Sequence, residues 1–188
     1  MARIEIVYFS GMGHTVHQAE AVRSGAATVA EARLWRLGAD GSLPDGGWAA
    51  LDAADAIVFG SPTYMGGPAW QMKRLADDSS GRWDARRWQD KLAGGFTTSA
   101  SINGDKFATL MAFMTLAAQH GMLWVSLGQL PASDPDRSPQ NRNWTGGNQG
   151  AMAVAAPAAL PEDPLPEGDW QSAHDYGVRI AQLAHKLN

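Results

Sequence analysis

The chain has 188 residues, no cysteine, and a net charge of −4 from 15 basic and 19 acidic side chains. The missing cysteines exclude disulfides, thiolate metal sites and thiol catalysis, the five histidines lack metal-ligand spacing, and a weakly acidic balance argues against nucleic acid as a partner. The length fits one domain covering residues 1–188, and because no leader pattern or run of about 20 apolar residues is visible, we expect a cytoplasmic protein without a membrane partner.

The first predicted element is an apolar strand, roughly Arg3 to Phe9, that runs directly into a glycine-rich turn. Its nearly unbroken apolar character is typical of a parallel strand covered on both faces, and only Glu5 departs from it. The turn, Ser10 to Thr15, precedes a helix predicted to end near Ser24, with Gly25 as its stop. Backbone N–H groups at the start of a helix are free, and the helix dipole adds positive charge there. The turn is therefore a candidate anion site.

Three ligands compete for this turn, and the spacing of its glycines separates them. A nucleotide P-loop needs a lysine after its second glycine, and a dinucleotide fingerprint needs a third glycine where the chain has Val16. What fits is a monophosphate held by hydroxyls and backbone amides, as FMN requires in a flavodoxin-like sheet. An ordinary strand-to-helix turn with Ser10 as a local cap explains the same residues, so the turn alone leaves both interpretations open.

The later elements alternate between strands and helices. This alternation predicts a three-layer α/β fold, with a five-stranded parallel sheet in the flavodoxin-like order 2-1-3-4-5 and helices on both faces. The predicted strands after the first are residues 29–37, 56–60, 92–98 and 122–127, and the predicted helices are residues 48–54, a helix from near 69, residues 105–120 and about 170–187.

Small and hydroxyl-bearing residues follow three of these strands at their carboxyl ends. They form loop 1, residues 10–15, loop 2, residues 61–68, and loop 3, residues 98–104. In the order 2-1-3-4-5 the three strands are neighbours, so the loops converge on one crevice at the edge of the sheet. Such a crevice suits a flat heteroaromatic ring with a phosphate tail, because one loop takes the phosphate and the other two line the ring.

Four segments carry a resemblance to a known family: residues 8–15 (YFSGMGHT), 60–66 (GSPTYMG), 96–99 (FTTS) and 119–122 (QHGM). In this order and spacing the chain resembles, over most of its length, the flavodoxin-like NAD(P)H:quinone oxidoreductases, a family historically named for binding the tryptophan repressor. The resemblance implies a flavodoxin fold, bound FMN, NAD(P)H as co-substrate and two-electron transfer to a quinone or similar small acceptor. It also implies a homo-oligomer, either a dimer or a tetramer.

The resemblance further assigns roles to residues. It places His120 beside the isoalloxazine as the catalytic residue, Trp83 in the quinone pocket of another subunit, and Met12 at the nicotinamide contact. It assigns to FMN binding Ser10, Gly11, Met12, Gly13, His14, Thr15, Pro62, Thr63, Tyr64, Met65, Gly66, Thr98, Ser99, Ala100, Ser101, Ile102, Asn103 and His120.

Two positions depart from the family pattern: this chain has Met12 where the family has an aromatic residue, and Tyr64 where the family has an arginine. Loop 3 also has Ala100, Ile102 and Asn103 in place of family glycines. Use of NAD(P)H therefore stays open. The alternatives are an FMN-containing flavodoxin that carries electrons between proteins without nicotinamide, and a binding protein of this fold that has lost the cofactor.

The last strand is predicted to be interrupted. In long-chain flavodoxins an insertion divides this strand, so residues 122–127 and 151–156 are expected to be its halves, with residues 128–150 looped out. Asn143, Trp144 and Asn148 are then expected near the open face of the flavin, as a lid or as loop surface.

Overall fold

Strands and helices alternate along the chain in the computed structural model, which describes residues 1–156 and 158–187. The strands are β1 (Arg3–Tyr8), β2 (Glu31–Arg36), β3 (Ala56–Tyr64), β4 (Gly67–Pro68), β5 (Leu92–Ser99), β6 (Leu123–Trp124) and β7 (Ala151–Val154). The helices are α1 (His14–Ala26), α2 (Gly47–Ala53), α3 (Trp70–Asp78), α4 (Ser80–Asp84), α5 (Lys106–Gln119) and α6 (Glu167–Leu187). None of the described helices combines the length and apolar character needed to cross a membrane.

The parallel sheet has the order β2-β1-β3-β5, and two short strands share its last position. β6 pairs with the start of β5, at Leu92 and Ala93, while β7 pairs with the end of β5, from Phe96 to Ser99. Between them the chain loops out, and the Leu127 N–H donates to the Asn148 carbonyl across the base of this insertion. The predicted order and the interrupted last strand are confirmed.

Two apolar clusters cover the two faces of the sheet. One lies under α1 and α6, around Tyr176 and Ile180, and the other lies under α2, α3 and α5, around Leu51, Leu75 and Phe113. This arrangement explains the unbroken apolar pattern of the central strands, which are buried on both sides. It leaves the carboxyl ends of the strands as the open edge.

Gly25 does not stop α1, as the sequence predicted, because it lies within the contact between α1 and α6. A Cβ atom on Gly25 would lie 1.9 Å from the carbonyl oxygen of His174, and one on Gly177 would lie 2.0 Å from that of Val22. The two glycines let the helix backbones approach each other closely. The helix therefore continues to Ala26 despite the low helix propensity of glycine.

Loop 2 is shorter than predicted, because β3 continues through Pro62 to Tyr64. Ser61 and Pro62 pair with Thr97 and Thr98 of β5. The true turn is Met65–Gly66, where both residues have positive φ angles of 47° and 79° and connect β3 to the antiparallel β4. Positive φ at both central positions is the geometry of a tight β-hairpin turn.

Glu5, the one charged residue of β1, has a partner on the neighbouring strand. Its carboxylate accepts a hydrogen bond of 2.6 Å from the indole N–H of Trp35. Burial raises the pKa of Glu5, and the Trp35 hydrogen bond acts against that shift. The charge in the strand is thus compensated locally.

Candidate cofactor-binding cleft

A cleft of about 530 Å³ opens at the carboxyl edge of the sheet, where loops 1, 2 and 3 meet. This volume lies within the roughly 300–1,000 Å³ range of small-molecule sites. The lining residues are Gly11, Met12, His14, Thr15, Pro62, Thr63, Tyr64, Thr98, Ser99, Ala100, Ala155, Ala156, Ala159 and Pro161. The sheet topology thus gathers segments that are up to 150 residues apart into one site.

Loop 1 has the features of an anion site. Among the described residues, no protein acceptor takes the N–H groups of Gly11, Met12 and Gly13, and no side chain caps α1. The Ser10 hydroxyl is buried and has no hydrogen-bond partner. Arg36 donates a hydrogen bond of 3.0 Å to the Ser10 carbonyl, so a cation also lies beside the loop. These unpaired donors at a helix N-terminus favour a phosphate.

The floor of the cleft at loop 2 is fixed by a buried group of threonines. The Thr63 hydroxyl lies 2.8 Å from that of Thr97 and 2.7 Å from that of Thr109. Tyr64 reaches across to loop 1, because a Cβ atom on Gly11 would lie 2.6 Å from the Tyr64 hydroxyl oxygen. Burial raises the pKa of Tyr64, so this phenol stays protonated at neutral pH.

Loop 3 is tied to the helix that follows loop 1. Thr98 donates a hydrogen bond of 2.7 Å to the Gln18 side chain, and Gln18 donates one of 3.1 Å to the Ala151 carbonyl. The Gln18 side chain is fully buried. It therefore joins α1, β5 and β7 directly beneath the cleft.

Comparisons with known proteins agree with this geometry. The NADPH-dependent FMN reductase family matches residues 48–134. The chain is 43% identical to Flavodoxin FldP of Pseudomonas aeruginosa, with all of both chains covered, and 32% identical to an NAD(P)H dehydrogenase (quinone) of Geobacter sulfurreducens, with 97% of this chain and 98% of the relative covered. The solved structure of a flavodoxin, WrbA-like protein from Agrobacterium tumefaciens is 45% identical over the full length of both chains, with a TM-score of 0.81.

The chain belongs to the flavodoxin-like NAD(P)H:quinone oxidoreductase family.

Within this family fold, the structure brings most of the predicted FMN residues to the cleft and leaves the rest nearby. The residues that line the cleft are Gly11, Met12, His14, Thr15, Pro62, Thr63, Tyr64, Thr98, Ser99 and Ala100. Ser10, Gly13 and Ser101 belong to the same loops but do not line the cleft, and Met65 and Gly66 form the hairpin tip, where Met65 is fully exposed. Ile102 and Asn103 line a neighbouring cleft of about 460 Å³.

His120 does not line the cleft of its own chain, so within one chain it does not take its predicted place beside the flavin. It follows the carboxyl end of α5, and the Gly121 carbonyl accepts a hydrogen bond from the N–H of Asp90, just before β5 begins. α5 returns antiparallel to β5, so His120 lies at the amino edge of the sheet, and the cleft lies at the carboxyl edge.

The surroundings of His120 are those of a packed, neutral imidazole. The Ser79 hydroxyl donates its proton to the Ala76 carbonyl, so it accepts a hydrogen bond of 2.9 Å from His120 Nε2. The other ring nitrogen, Nδ1, is unprotonated, and it is buried without a partner among the described residues. The ring lies 4.3 Å from that of Trp88. Burial lowers the pKa of His120, and the imidazole is neutral at pH 7.

Trp83 lies with His120 rather than with loops 1 to 3. Both line a cleft of about 370 Å³ at the amino edge, together with Asp84, Arg86 and residues 118, 119 and 121. Trp83 is about half exposed. Among the described residues, Trp83 is not one of those that line the cleft formed by loops 1 to 3.

Four cleft residues were missed by the sequence analysis: Ala155, Ala156, Ala159 and Pro161, here termed the cover residues. They follow β7 and lie against loop 1, since a Cβ atom on Gly13 would be 2.6 Å from Pro161 Cβ. The signal for them was available. Residues 151–156 were recognised as a strand half, and whatever follows the carboxyl end of a strand in this sheet lies at the cleft edge.

Of the two roles expected for residues 143, 144 and 148, a lid or loop surface, the described residues do not show a lid over this cleft. The Asn143 N–H donates to the Ser172 hydroxyl at 2.7 Å, and the Trp144 indole N–H donates to Asp169 at 2.7 Å, so both residues are tied to α6. Asn148 lines the neighbouring cleft of about 460 Å³ with Ile102 and Asn103.

Proposed function

We propose that this protein is an FMN-binding oxidoreductase that transfers two electrons from NAD(P)H to a quinone. The observation that carries the proposal is the set of unpaired donors in loop 1, the free N–H groups and the buried Ser10 hydroxyl, at one side of a cleft large enough for a flavin ring. Family membership supports the same cofactor.

The residues present fit FMN specifically. Loop 1 would hold the phosphate, while Pro62 to Tyr64 and Thr98 to Ala100 would flank the ring. Pro161 packs on Gly13 and closes the cleft beyond loop 1, which favours a monophosphate over a dinucleotide such as FAD. When bound, FMN supplies the capacity to accept a hydride and to pass electrons on. The protein's part is to hold the ring, exclude water and set its potential.

The side chains at the mouth of the cleft are suited to contact a planar co-substrate. Met12 is 68% exposed and Tyr64 is 41% exposed, and both line the cleft. A thioether and a phenol ring make favourable contacts with flat heteroaromatic rings. A nicotinamide or a quinone would meet these two side chains, and the relatives named NAD(P)H dehydrogenase (quinone) support that pair of substrates.

The second candidate is an electron carrier that does not use nicotinamide. Two observations favour it. The relative with 43% identity over the full length of both chains is named a flavodoxin. This chain also has Met12 and Tyr64 where the family pattern has an aromatic residue and an arginine. Both candidates use the same FMN site, and they differ in the electron donor, in the acceptor and in the number of electrons passed in one step.

An oligomer follows from the enzyme candidate. The FMN cleft and the cleft of Trp83 and His120 lie at opposite edges of one sheet, so the two can meet only between copies of the chain. We therefore propose a homo-oligomer, a dimer or tetramer, in which Trp83 and His120 approach the flavin of a different subunit. Native mass spectrometry of the FMN-loaded protein would return a monomer mass if this arrangement were wrong.

Anaerobic spectroscopy separates the candidates. Purified protein is loaded with FMN and mixed with NADH or NADPH without oxygen while the flavin absorbance band is followed. Rapid bleaching, followed by recovery of the band on addition of a quinone, is expected for the oxidoreductase. A band that persists with both donors, together with a one-electron reduced species on stepwise chemical reduction, indicates the carrier. Protein that neither carries nor takes up FMN contradicts both.

A further inference from the structure

Lys106 occupies an unfavourable position for a charged residue. It is completely buried and is the first residue of α5, where the helix dipole repels a positive charge. Burial lowers its pKa to about 8, so the ammonium form still predominates at pH 7. A charge kept at such a cost requires compensating contacts, and local conflicts of this kind concentrate at functional sites.

The compensating contacts come from loop 3. The Lys106 ammonium donates to the carbonyl oxygens of Ser101 and Ile102, the latter at 3.0 Å. Because C=O and the following N–H point in opposite directions across a trans peptide, the N–H groups of Ile102 and Asn103 point away from the ammonium. No acceptor among the described residues takes these two N–H groups. Ile102 and Asn103 line the neighbouring cleft, so Lys106 fixes the part of loop 3 that directly follows the cleft-lining residues Ser99 and Ala100.

Asp169, on α6, is a second buried charged residue. Its two carboxylate oxygens accept hydrogen bonds from the Trp144 indole N–H, at 2.7 Å, and from the Val154 N–H, at 2.8 Å. Val154 ends β7 and directly precedes the cover residues Ala155 and Ala156. Burial raises the pKa of Asp169 to about 6, and Lys106 opposes this shift. Lys106 and Asp169 therefore fix the segments that adjoin two walls of the cleft, one after Ala100 and one before Ala155.

We propose that Lys106 and Asp169 are positioning residues that set the affinity and the reduction potential of FMN in this cleft, through the Ser101 and Ile102 carbonyls next to one wall and the Val154 N–H next to the other. The proposal rests on the proposed FMN site. Neither side chain lines the cleft, so neither acts as a catalytic residue.

The two charges have opposite expected effects on the potential. Two-electron reduction makes a bound flavin more negative, so a nearby positive charge stabilises the reduced form and a nearby negative charge disfavours it. Removal of the Lys106 charge should lower the potential, and removal of the Asp169 charge should raise it. A role confined to fold stability predicts no such difference in sign.

Lys91 provides a matched control. Its ammonium also donates to two backbone carbonyls, those of Asp52, at 2.9 Å, and Ala54, and burial also lowers its pKa. It lies just before β5, at the amino edge of the sheet, away from the cleft. Lys91→Met therefore removes the same kind of interaction from the other end of the molecule.

The experiment compares the wild type with Lys106→Met, Asp169→Asn and Lys91→Met, each checked for folding by circular dichroism. FMN affinity is measured by fluorescence titration of the apoprotein, and the two-electron potential by equilibration with reference dyes. Because a hydrogen-bonded charge is lost, Lys106→Met should bind oxidised FMN about 10-fold more weakly than the wild type does. Its affinity for reduced FMN should fall by about 10-fold more, which corresponds to a reduction potential lower by about 30 mV.

Asp169→Asn should shift the potential upward, and Lys91→Met should leave affinity and potential at the wild-type values. Wild-type values in Lys106→Met, or shifts of the same sign in both cleft variants, would overturn the proposal while leaving the FMN site intact. Failure of the wild type to bind FMN would overturn the proposed function and this inference with it. If Lys106→Met does not fold, the upward shift in Asp169→Asn decides the question alone.

Discussion

The imidazole Nε2 of His17 lies 2.9 Å from the carbonyl oxygen of Pro161, which joins the first turns of α1 to the cover residues. The same proline packs on Gly13, at the helix N-terminus that loop 1 offers to an anion. The chain thus packs Pro161 against loop 1 at one side of its own cleft.

Gly13→Ala should weaken FMN binding by more than backbone strain alone would weaken it. Gly13 has φ of 92°, and an added Cβ would lie 2.6 Å from Pro161 Cβ, so the substitution both strains loop 1 and displaces the cover. We expect a Kd for FMN raised by about 10-fold or more, with a strain cost of about 1–3 kcal/mol in unfolding. Fluorescence titration and urea unfolding give the two numbers.

The control for this prediction is Gly146→Ala. Gly146 has φ of 74°, but nothing lies within 4 Å of an added Cβ, so this substitution introduces backbone strain without a clash. Its FMN affinity should equal that of the wild type. Equal losses of FMN affinity in both variants would show that the Pro161 contact does not matter for binding.

Ser10→Ala should weaken FMN binding without lowering the stability of the apoprotein. The Ser10 hydroxyl is buried and unpartnered, so its removal deletes an uncompensated polar group, and the free energy of unfolding should stay the same or rise. Loss of its hydrogen bond to a bound phosphate should raise the Kd for FMN about 10-fold.

Ser172→Ala is expected to give the reverse result. This buried hydroxyl donates to the Gly168 carbonyl, at 2.6 Å, and accepts from the Asn143 N–H, at 2.7 Å. Its loss should cost about 1–3 kcal/mol of stability and leave FMN affinity unchanged. A Ser10→Ala apoprotein destabilised as much as this control would contradict the assignment of the Ser10 hydroxyl to a ligand.

Much of the fold was predictable because the signals are local and periodic. Alternating strands and helices predicted a parallel sheet covered on both faces, while its order and the interrupted last strand were expected from the likeness to flavodoxins. The errors came from tertiary contacts. Gly25 looked like a helix stop until α6 was packed against it, and Pro62 looked like a turn until Thr98 was paired with it.

The site was predictable where it follows the strand ends and not elsewhere. Loops 1 to 3 converge as the topology requires, whereas the cover residues depend on the path of the inserted chain. The position of His120 was available from the sequence: 14 helical residues span about 21 Å, so loop 3 and His120 must lie at opposite ends of α5. The family pattern, taken alone, does not distinguish a residue of the same subunit from one of a neighbouring subunit.

Asp169 should make stability fall as the pH rises from about 4 to 6. Its pKa is raised from 3.8 to about 6 in the folded chain, so the folded state holds this proton more tightly than the unfolded state does. The resulting stabilisation is fully present below pH 4 and is lost as the pH passes through 6. Two pKa units correspond to about 3 kcal/mol at most.

Asp169→Asn isolates this contribution from that of the other carboxylates. Its overall stability should be lower, since an amide presents N–H groups where the carboxylate accepts from both Trp144 and Val154. The quantity to compare is the difference in unfolding free energy between wild type and variant, measured in urea at intervals from pH 4 to 7. This difference should shrink as the pH rises, and a constant difference would contradict the raised pKa.

Lys106→Met should move the same transition to higher pH. The hydrogen bonds from Val154 and Trp144 and, to a smaller extent, the ammonium of Lys106 hold the pKa of Asp169 down against burial. Without Lys106 the carboxyl should titrate at a higher pH, and the decline in stability should extend toward neutrality. The variant also lacks the rise in stability expected for the wild type between about pH 8 and 10.5, where the unfolded chain binds the Lys106 proton more tightly than the folded one. Coupling of the two residues predicts both changes together. Loss of the alkaline rise with an unmoved acid transition would show that Lys106 and Asp169 act independently.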